Sequence, residues 1–363
     1  MEGCSIVEGS TELFVPSIIS EKGPGKIQGR VFFNRQMAFN RDVSVALFSS
    51  IIRPRKCLDA MAATGARGIR ICKEAKGDYR FIINDRDSLA CEYIQKNIEL
   101  NGLDNAECVN SDLRCLLAGE VFDYIDLDPF GTPIPFVPAA LQGMSRRGTL
   151  AVTATDTASL SGTHPGKCRR RYLANSQRSP FLHESGLRIM IGTIVRMAAQ
   201  EDKGVKPLLC YYADHYFRLF LKVKDGAGEA DRSLAQLGFM SYDRNTGERK
   251  VGEGEIGPLW LGPLMDHESV SEVNVPEGLA CQERTAQHFE IWKEELDVPF
   301  YYETNEIAAM LKLSPPGREE LIEAMTSIGK VSRTNFSPTG FRTDRPLEEV
   351  LEAFRAACRS CQV

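Results

Sequence analysis

Residues 126–133, Asp-Leu-Asp-Pro-Phe-Gly-Thr-Pro, form the most specific candidate for chemistry in this 363-residue chain. An amine conjugated to a purine ring is a poor nucleophile because its lone pair is delocalised. The Asp128 carboxylate and the main-chain carbonyl of Pro129 can accept its two hydrogens and aim the lone pair at a methyl donor. Phe130 can stack on the base, and Gly131 leaves room for it. The motif predicts amine methylation; a capped strand-to-helix turn is the structural alternative.

A second candidate site lies at residues 58–68, where a strand leads through small residues into a helix. Small residues allow a ligand to approach the backbone, and a helix N-terminus offers amide donors. Ala63 replaces the first glycine of a dinucleotide fingerprint, which disfavours pyrophosphate binding. Asp85 follows the next strand and can accept both hydroxyls of a ribose, while residues 111–113, Ser-Asp-Leu, suit an adenine. The pattern predicts nucleoside binding, and a helix cap is the alternative for Asp85.

These residues require a sheet that brings strand ends together. Short apolar runs predict strands at 57–61, 79–83, 106–109, 122–127 and 149–153, with helices at 66–76, 87–100 and 135–144 between them. This is a doubly wound α/β domain, in which ligands bind beyond the carboxyl ends of the strands. A helix at 180–200 and an antiparallel hairpin at 205–223 favour a class I methyltransferase-like sheet over a dinucleotide-binding fold. The glycine-rich residues 247–262 predict loops or a boundary.

The character of the sequence changes after residue 265. Residues 303–313 and 317–328 predict two helices, and residues 331–343 predict a small hairpin or wing. We therefore expect a methyltransferase domain at 1–265 and a smaller α+β domain at 266–363. A winged-helix arrangement would hold nucleic acid. A cap that only packs on the first domain is the equally weighted alternative.

The formal net charge of −5 neither suggests nor excludes a nucleic-acid ligand, since local patches decide phosphate attraction. Residues 22–41 and 164–178 are two basic runs without any acid. Their glycines and prolines predict mobile loops that could close on a phosphate backbone, whereas a solvated face is the ordinary alternative. The predicted RNA contacts in the second run are Lys167, Arg169, Arg170 and Arg171.

The remaining composition points to an intracellular setting. No run approaches the roughly 20 apolar residues of a membrane span, and the first residues lack a secretory pattern. Of the eleven cysteines, those at 57, 72, 91, 108, 115 and 210 lie scattered through strand-like and helix-like segments without the close pairs of a disulfide or zinc framework, which predicts buried reduced thiols. We expect a cytoplasmic protein without membrane contact, and the sequence implies no protein partner.

Several segments together resemble the tRNA (guanine-26) N2-dimethyltransferases of archaea and eukaryotes. They are Phe-Asn-Arg-Gln-Met-Ala-Phe-Asn-Arg-Asp at 33–42, Ala-Thr-Gly-Ala-Arg-Gly-Ile-Arg at 63–70, residues 126–131 and 183–188, and Gly-Pro-Leu-Trp-Leu-Gly-Pro-Leu at 257–264. The resemblance implies tRNA as partner and two successive methyl transfers from S-adenosylmethionine, giving N2-methyl- and N2,N2-dimethylguanosine. It implies that Asp128 is the catalytic acceptor and that Arg41 and Arg67 contact the methionine end of the cofactor. The residues predicted to bind the cofactor are Arg41, Gly65, Arg67, Asp85, Asp112 and Leu113.

One departure from the family concerns a metal. Many relatives have cysteine pairs before the Gly-Pro-Leu-Trp segment that look like a zinc site, but residues 241–247 contain no cysteine. We therefore predict no structural metal. Because the target lies within folded RNA, we expect the base to flip out to reach Asp128.

Three rival functions remain open at this point. The same chemistry on another RNA or DNA amine fits the motif equally well. A nicotinamide-dependent dehydrogenase shares the sheet, but Ala63 and the lack of a catalytic histidine constellation disfavour it. A tRNA-binding module without turnover is the third.

Overall fold

The fold is known from a computed structural model that describes residues 2–19 and 29–360; Lys22 and Lys26 of the first basic run lie outside these described residues. The strands are β1 Gly3–Glu8, β2 Thr11–Pro16, β3 Lys56–Asp59, β4 Arg80–Asp85, β5 Ala106–Asn110, β6 Phe122–Leu127, β7 Met144–Ala154, β8 Lys203–Ala213, β9 Tyr216–Asp225, β10 Leu237–Tyr242, β11 Arg249–Val251, β12 Ile256–Trp260, β13 Tyr302–Glu303, β14 Val331–Arg333 and β15 Gly340–Thr343. The helices are α1 Ala38–Ser50, α2 Ala66–Glu74, α3 Ser88–Asn101, α4 Leu113–Gly119, α5 Val137–Gln142, α6 Thr157–Leu160, α7 Pro165–Tyr172, α8 Leu182–Ala199, α9 Ala227–Leu234, α10 His267–Ser271, α11 Gln282–Glu294, α12 Thr304–Leu311, α13 Arg318–Thr326 and α14 Leu347–Ser360.

A seven-stranded sheet in the order β5-β4-β3-β6-β7-β9-β8 forms the centre of the molecule. Strands β3 to β7 pair in parallel, whereas β9 runs antiparallel to both β7 and β8. Neighbouring residues of one strand point to opposite faces, so Ile82 and Ile83 of β4 enter two different apolar clusters. Both faces are therefore buried, which places the ligand-binding positions at the ends of the strands.

The predicted doubly wound sheet is confirmed, including its antiparallel addition. Strand β6 occurs at the predicted residues, and β7 begins five residues earlier than expected, at Met144. The predicted hairpin is β8 and β9, and its turn passes through Asp214, whose φ is 50°.

Two loop predictions are wrong. Residues 247–262 contain β11 and β12, which pair with β10 in a three-stranded sheet. Four glycines of the segment adopt a positive φ: Gly252 and Gly254 between the two strands, Gly247 before β11, and Gly257 within β12. Residues 165–172 form helix α7, because proline is tolerated in the first turn of a helix. Cys168 and Tyr172, one turn apart, are fully buried and anchor it.

The first basic run is also not a free loop where the structure describes it. Arg35 lies in a short 3-10 turn, Arg35–Met37, and Arg41 is buried within α1. Helix α1 is buried along most of its length because it packs between α2 and α11. The burial of Arg41 removes it from any surface that could meet RNA.

The C-terminal residues contain the two predicted helices, α12 and α13, followed by the predicted hairpin β14–β15; helix α14 was not predicted. These elements share a separate apolar cluster that includes Ile307, Leu321 and Phe354. Helices α10 and α11 instead pack into the cluster beneath the large sheet, through residues such as Trp292. The predicted division at residue 265 stays a prediction, and this packing favours a boundary beyond α11.

Buried charges connect this C-terminal unit to helix α8. Arg342 donates to Glu184 over 3.0 Å and to Glu295 over 2.7 Å. Glu184 also accepts from Arg188 and from the backbone amides of Phe300 and Tyr301.

None of the described helices is long and apolar enough to cross a membrane.

Candidate active site

A cavity of about 510 Å³ opens at the carboxyl ends of β3, β4, β5 and β6. This is where a doubly wound sheet is expected to bind its ligand. Of the predicted cofactor and catalytic residues, all except Gly65 line it. The predicted residues in its wall are Arg41, Arg67, Asp85, Asp112, Leu113, Asp128, Pro129 and Phe130.

Gly65 shapes the turn after β3 without lining the cavity. Its φ of 75° is left-handed, and a Cβ there would meet Ile94 and Ile83 at 3.2 and 3.3 Å. Glycine is thus required for the backbone to enter α2. Ala63 in the same turn also has a positive φ, 50°, and its amide donates to Asp85 Oδ2 over 2.9 Å.

The acids at the strand ends have different partners. Asp85 accepts from Ala63 N and Asp87 N, and helix α3 is capped by Asp87 instead. The helix-cap alternative for Asp85 is therefore wrong. Asp112 does cap α4, accepting from Arg114 N over 2.9 Å while it lines the cavity beside buried Leu113.

Asp59, the last residue of β3, is a buried acid. Its carboxylate accepts from the amide of Gly68 in the first turn of α2, over 3.1 Å. Burial, and then the neighbouring Asp126, raise the pKa of Asp59 to about 7, although Arg67 acts in the opposite direction. Through its hydrogen bond to Gly68, Asp59 connects the end of β3 to the first turn of α2.

The turn that follows β6 presents Asp128 to the cavity. Asp128 is one quarter exposed, and Arg67 donates to its Oδ2 in a short ion pair. Phe130 is 53% exposed and meets the ring of Phe32 edge-on, with ring centroids 4.9 Å apart. Gly131, with φ of 81°, is bound on both sides by Thr155: its amide donates to Oγ1 over 2.8 Å, and its carbonyl accepts from Thr155 N over 3.0 Å.

A buried charge network lies beneath Asp128, and sequence reasoning missed it. Arg218 of β9 donates to both oxygens of Asp126 over 2.8 and 2.6 Å. Arg67 Nε lies 3.6 Å from Asp126 Oδ2, and Tyr124 donates to the same oxygen. Burial raises the pKa of Asp126, but Arg218 and Arg67 outweigh it and hold the pKa well below its usual range. An arginine inside the apolar run of β9 was the available signal, because such a charge needs a buried partner.

Arg41 is the second arginine of the cavity wall. Its Nε and Nη2 hold Glu8 over 2.6 and 2.7 Å, and Nη2 also donates to the carbonyl of Asn34. Sequence reasoning did not find the hairpin residues Asp214, His215 and Tyr216, which complete the wall. Because these residues lie far along the chain from the other motifs, nothing in the sequence indicated that they line the same cavity.

The basic helix α7 divides into two pairs. Lys167 and Arg171, one turn apart, both bind Asp156, over 3.1 and 2.6 Å. Arg169 donates to Asn175, while Arg170 has no ion pair or side-chain hydrogen bond within the described residues. Arg169 and Arg170 are exposed.

No group of three or more potential metal ligands occurs among the described residues.

The strand order, the cavity at the strand ends and the acids around it place the protein in the class I methyltransferase fold. The sequence model of the TRM family, described as N2,N2-dimethylguanosine tRNA methyltransferase, matches residues 17–355. The chain belongs to this family.

Similar proteins agree over the full length. The chain is 38% identical to tRNA (guanine(26)-N(2))-dimethyltransferase of Pyrococcus abyssi, covering 98% of this chain and 100% of the relative. It is 39% identical to the enzyme of the same name from Thermococcus kodakarensis, with the same coverage. The structure of Trm1 from Pyrococcus horikoshii in complex with S-adenosyl-L-methionine matches with a TM-score of 0.87 and 37% identity, over 96% of this chain and 99% of that one.

Proposed function

We propose that this protein is a tRNA methyltransferase that transfers methyl groups from S-adenosylmethionine to N2 of guanine 26, giving N2-methyl- and N2,N2-dimethylguanosine. The observation that carries the proposal is that Asp128 lines the same cavity as Asp85, at the end of β4, and Asp112, which follows β5. Family membership supports the same substrate and cofactor.

The residues of the cavity fit this cofactor. A volume of about 510 Å³ lies in the range of ordinary small-molecule sites. Each carboxylate oxygen of Asp85 retains capacity to accept from a ribose hydroxyl, and Asp112 with Leu113 offers an acceptor and an apolar contact to adenine. Within the described part of the chain, Arg41 uses Nε and Nη2 for Glu8 and Asn34, which leaves Nη1 for a carboxylate. When bound, the cofactor supplies a methyl group on a positively charged sulfur.

Asp128 and Pro129 prepare the amine of the target guanine. Arg67 occupies Asp128 Oδ2, which leaves Oδ1 to accept one amine hydrogen, and the carbonyl of Pro129 accepts the other. The lone pair is then directed toward the methyl group, and the surplus proton leaves by Asp128 to solvent. Phe130 is exposed enough to stack on the base.

The RNA backbone meets helix α7 in this proposal. Arg169 and Arg170 are exposed and can contact phosphate, whereas Lys167 and Arg171 are already paired with Asp156. Residues 302–360 contain eight basic and nine acidic side chains, so the C-terminal unit offers no comparable excess of positive charge. We propose that the C-terminal unit contacts the tRNA through its shape rather than through an excess of positive charge. We also propose that the protein is cytoplasmic.

The test is transfer from methyl-labelled S-adenosylmethionine to unmodified tRNA, followed by digestion to nucleosides. Labelled N2-methyl- and N2,N2-dimethylguanosine should form and be lost in Asp128→Ala. They should persist in Asp231→Ala, a matched change at an exposed aspartate of α9. Label on a different nucleoside would favour the same chemistry at another amine. Cofactor binding without transfer would favour a tRNA-binding module.

A further inference from the structure

Helix α7 is joined to the β7 strand end by a buried carboxylate. Asp156 is 7% exposed and lies two residues after the end of β7. Its Oδ1 accepts from Lys167 Nζ over 3.1 Å and from Ser159 Oγ over 2.9 Å, and its Oδ2 accepts from Arg171 Nη1 over 2.6 Å. One side chain therefore binds the first and the last turn of α7 together.

The strand end is in turn joined to residues 128–132, which we name the acceptor turn. Thr155, next to Asp156, makes the two hydrogen bonds that bracket Gly131. A second connection comes from α7 itself, because Tyr172 donates its hydroxyl to Thr132 Oγ1 over 3.0 Å. Helix α7 and the acceptor turn are thus held together at two neighbouring residues, at Gly131 through Thr155 and Asp156 and at Thr132 through Tyr172.

This arrangement divides the four basic side chains of α7 into two that bind Asp156 and two that do not. Lys167 and Arg171 lie on one face, one turn apart, and face Asp156. Arg169, which donates to Asn175, and Arg170 are exposed and are not among the side chains that bind Asp156. A phosphate bound by the exposed pair would then lie at a fixed distance from Asp128.

We propose that Asp156 is a positioning residue, which fixes the RNA-contacting helix α7 to the acceptor turn and so sets the nucleotide that reaches Asp128. This inference rests on the proposed function. It assigns Lys167 and Arg171 to holding α7 in place, and Arg169 and Arg170 to the RNA backbone.

The test separates positioning from phosphate contact by comparing Asp156→Asn with Arg170→Glu in the full chain. Asp156→Asn should lower kcat at saturating tRNA about tenfold, since misplaced reactants react slowly. Its tRNA Kd should stay within about twofold or tighten, because Lys167 and Arg171 gain freedom to meet phosphate. Arg170→Glu should instead raise the tRNA Kd about fivefold and flatten its salt dependence.

Rates are expressed per S-adenosylmethionine-binding site, measured by titration, so that loss of folded protein does not count as loss of kcat. Asp156→Glu should recover most of the rate. If Asp156→Asn does not fold, Tyr172→Phe serves, and it should lower kcat about threefold without changing the tRNA Kd. An unchanged kcat in the folded variant, or a weaker tRNA Kd with kcat intact, overturns the proposal. Failure of the wild-type protein to methylate tRNA would overturn the proposed function instead.

Discussion

Replacing Arg218 by methionine tests whether the buried network beneath Asp128 supports the reaction. Arg218 is fully buried and donates to both oxygens of Asp126, to Thr153 over 3.0 Å and to Ser44 over 3.3 Å. Methionine fills much of the same volume but supplies no donor. Asp126 would then keep Arg67 as its remaining cation, at 3.6 Å.

Two effects with different magnitudes are expected. Removing one partner of a buried ion pair lowers the free energy of unfolding by about 3–5 kcal/mol, because the other charge stays buried. Arg67 would also be drawn toward Asp126 and away from Asp128. A displacement of the acceptor of about 1 Å can cost roughly a hundredfold in rate, so we expect kcat to fall about ten- to a hundredfold. Arg218→Lys keeps the charge, so its free energy of unfolding and its kcat should both fall less than those of Arg218→Met.

The assay combines urea unfolding with single-turnover methyl transfer per cofactor-binding site. Arg188→Met is the matched control, since Arg188 is equally buried and holds Glu184 over 2.8 Å, outside the cavity wall. It should lose similar stability but keep kcat. The reasoning is refuted if Arg218→Met and Arg188→Met lose stability alike and neither changes kcat.

Three further predictions concern pH and metal. The arginines around Glu184, Arg342 first, outweigh burial and lower its pKa to about 2 from 4.5, so its stabilisation is present above pH 4.5 and is lost as the pH falls toward 2. Urea unfolding at a series of acid pH values should show this loss, and Glu184→Gln should remove that part of the pH dependence. Burial lowers the pKa of His183 to about 4 from 6.5, so the free energy of unfolding should fall between pH 6.5 and pH 4; a His183→Phe variant with the same slope would contradict this. Metal analysis of the purified protein should find no stoichiometric zinc, and bound zinc would overturn the prediction of no structural metal.

The sequence predicted the large sheet well because its signals are local. Each strand of the parallel part is a short apolar run. Asp85, Asp112 and Asp128 each lie at the end of one of these strands or within two residues of it. The rule that ligands bind at carboxyl ends then brings Asp85, Asp112 and Asp128 to one edge without further information. The cavity wall contains all three.

Helix α7 shows where local signals failed. Pro165 and Gly166 read as a loop, although proline also suits a helix start. The burial of Cys168 and Tyr172, which depends on packing against the rest of the domain, decided the outcome. The same holds for the charges: four basic residues are visible in the sequence, but Asp156, which pairs with two of them, becomes their neighbour only through the fold.

Arg67 makes contacts in the structure that the family resemblance did not imply. The family implies a contact with the methionine end of the cofactor, and Arg67 does line the cavity. Its Nη1, however, donates to Asn40 and Ser44, its Nη2 to Asp128, and its Nε faces Asp126. Because every nitrogen of the guanidinium is directed at the protein, a cofactor carboxylate would have to share one of these donors. We therefore propose that Arg67 chiefly orients Asp128, and that Arg41 takes the larger share of the methionine carboxylate.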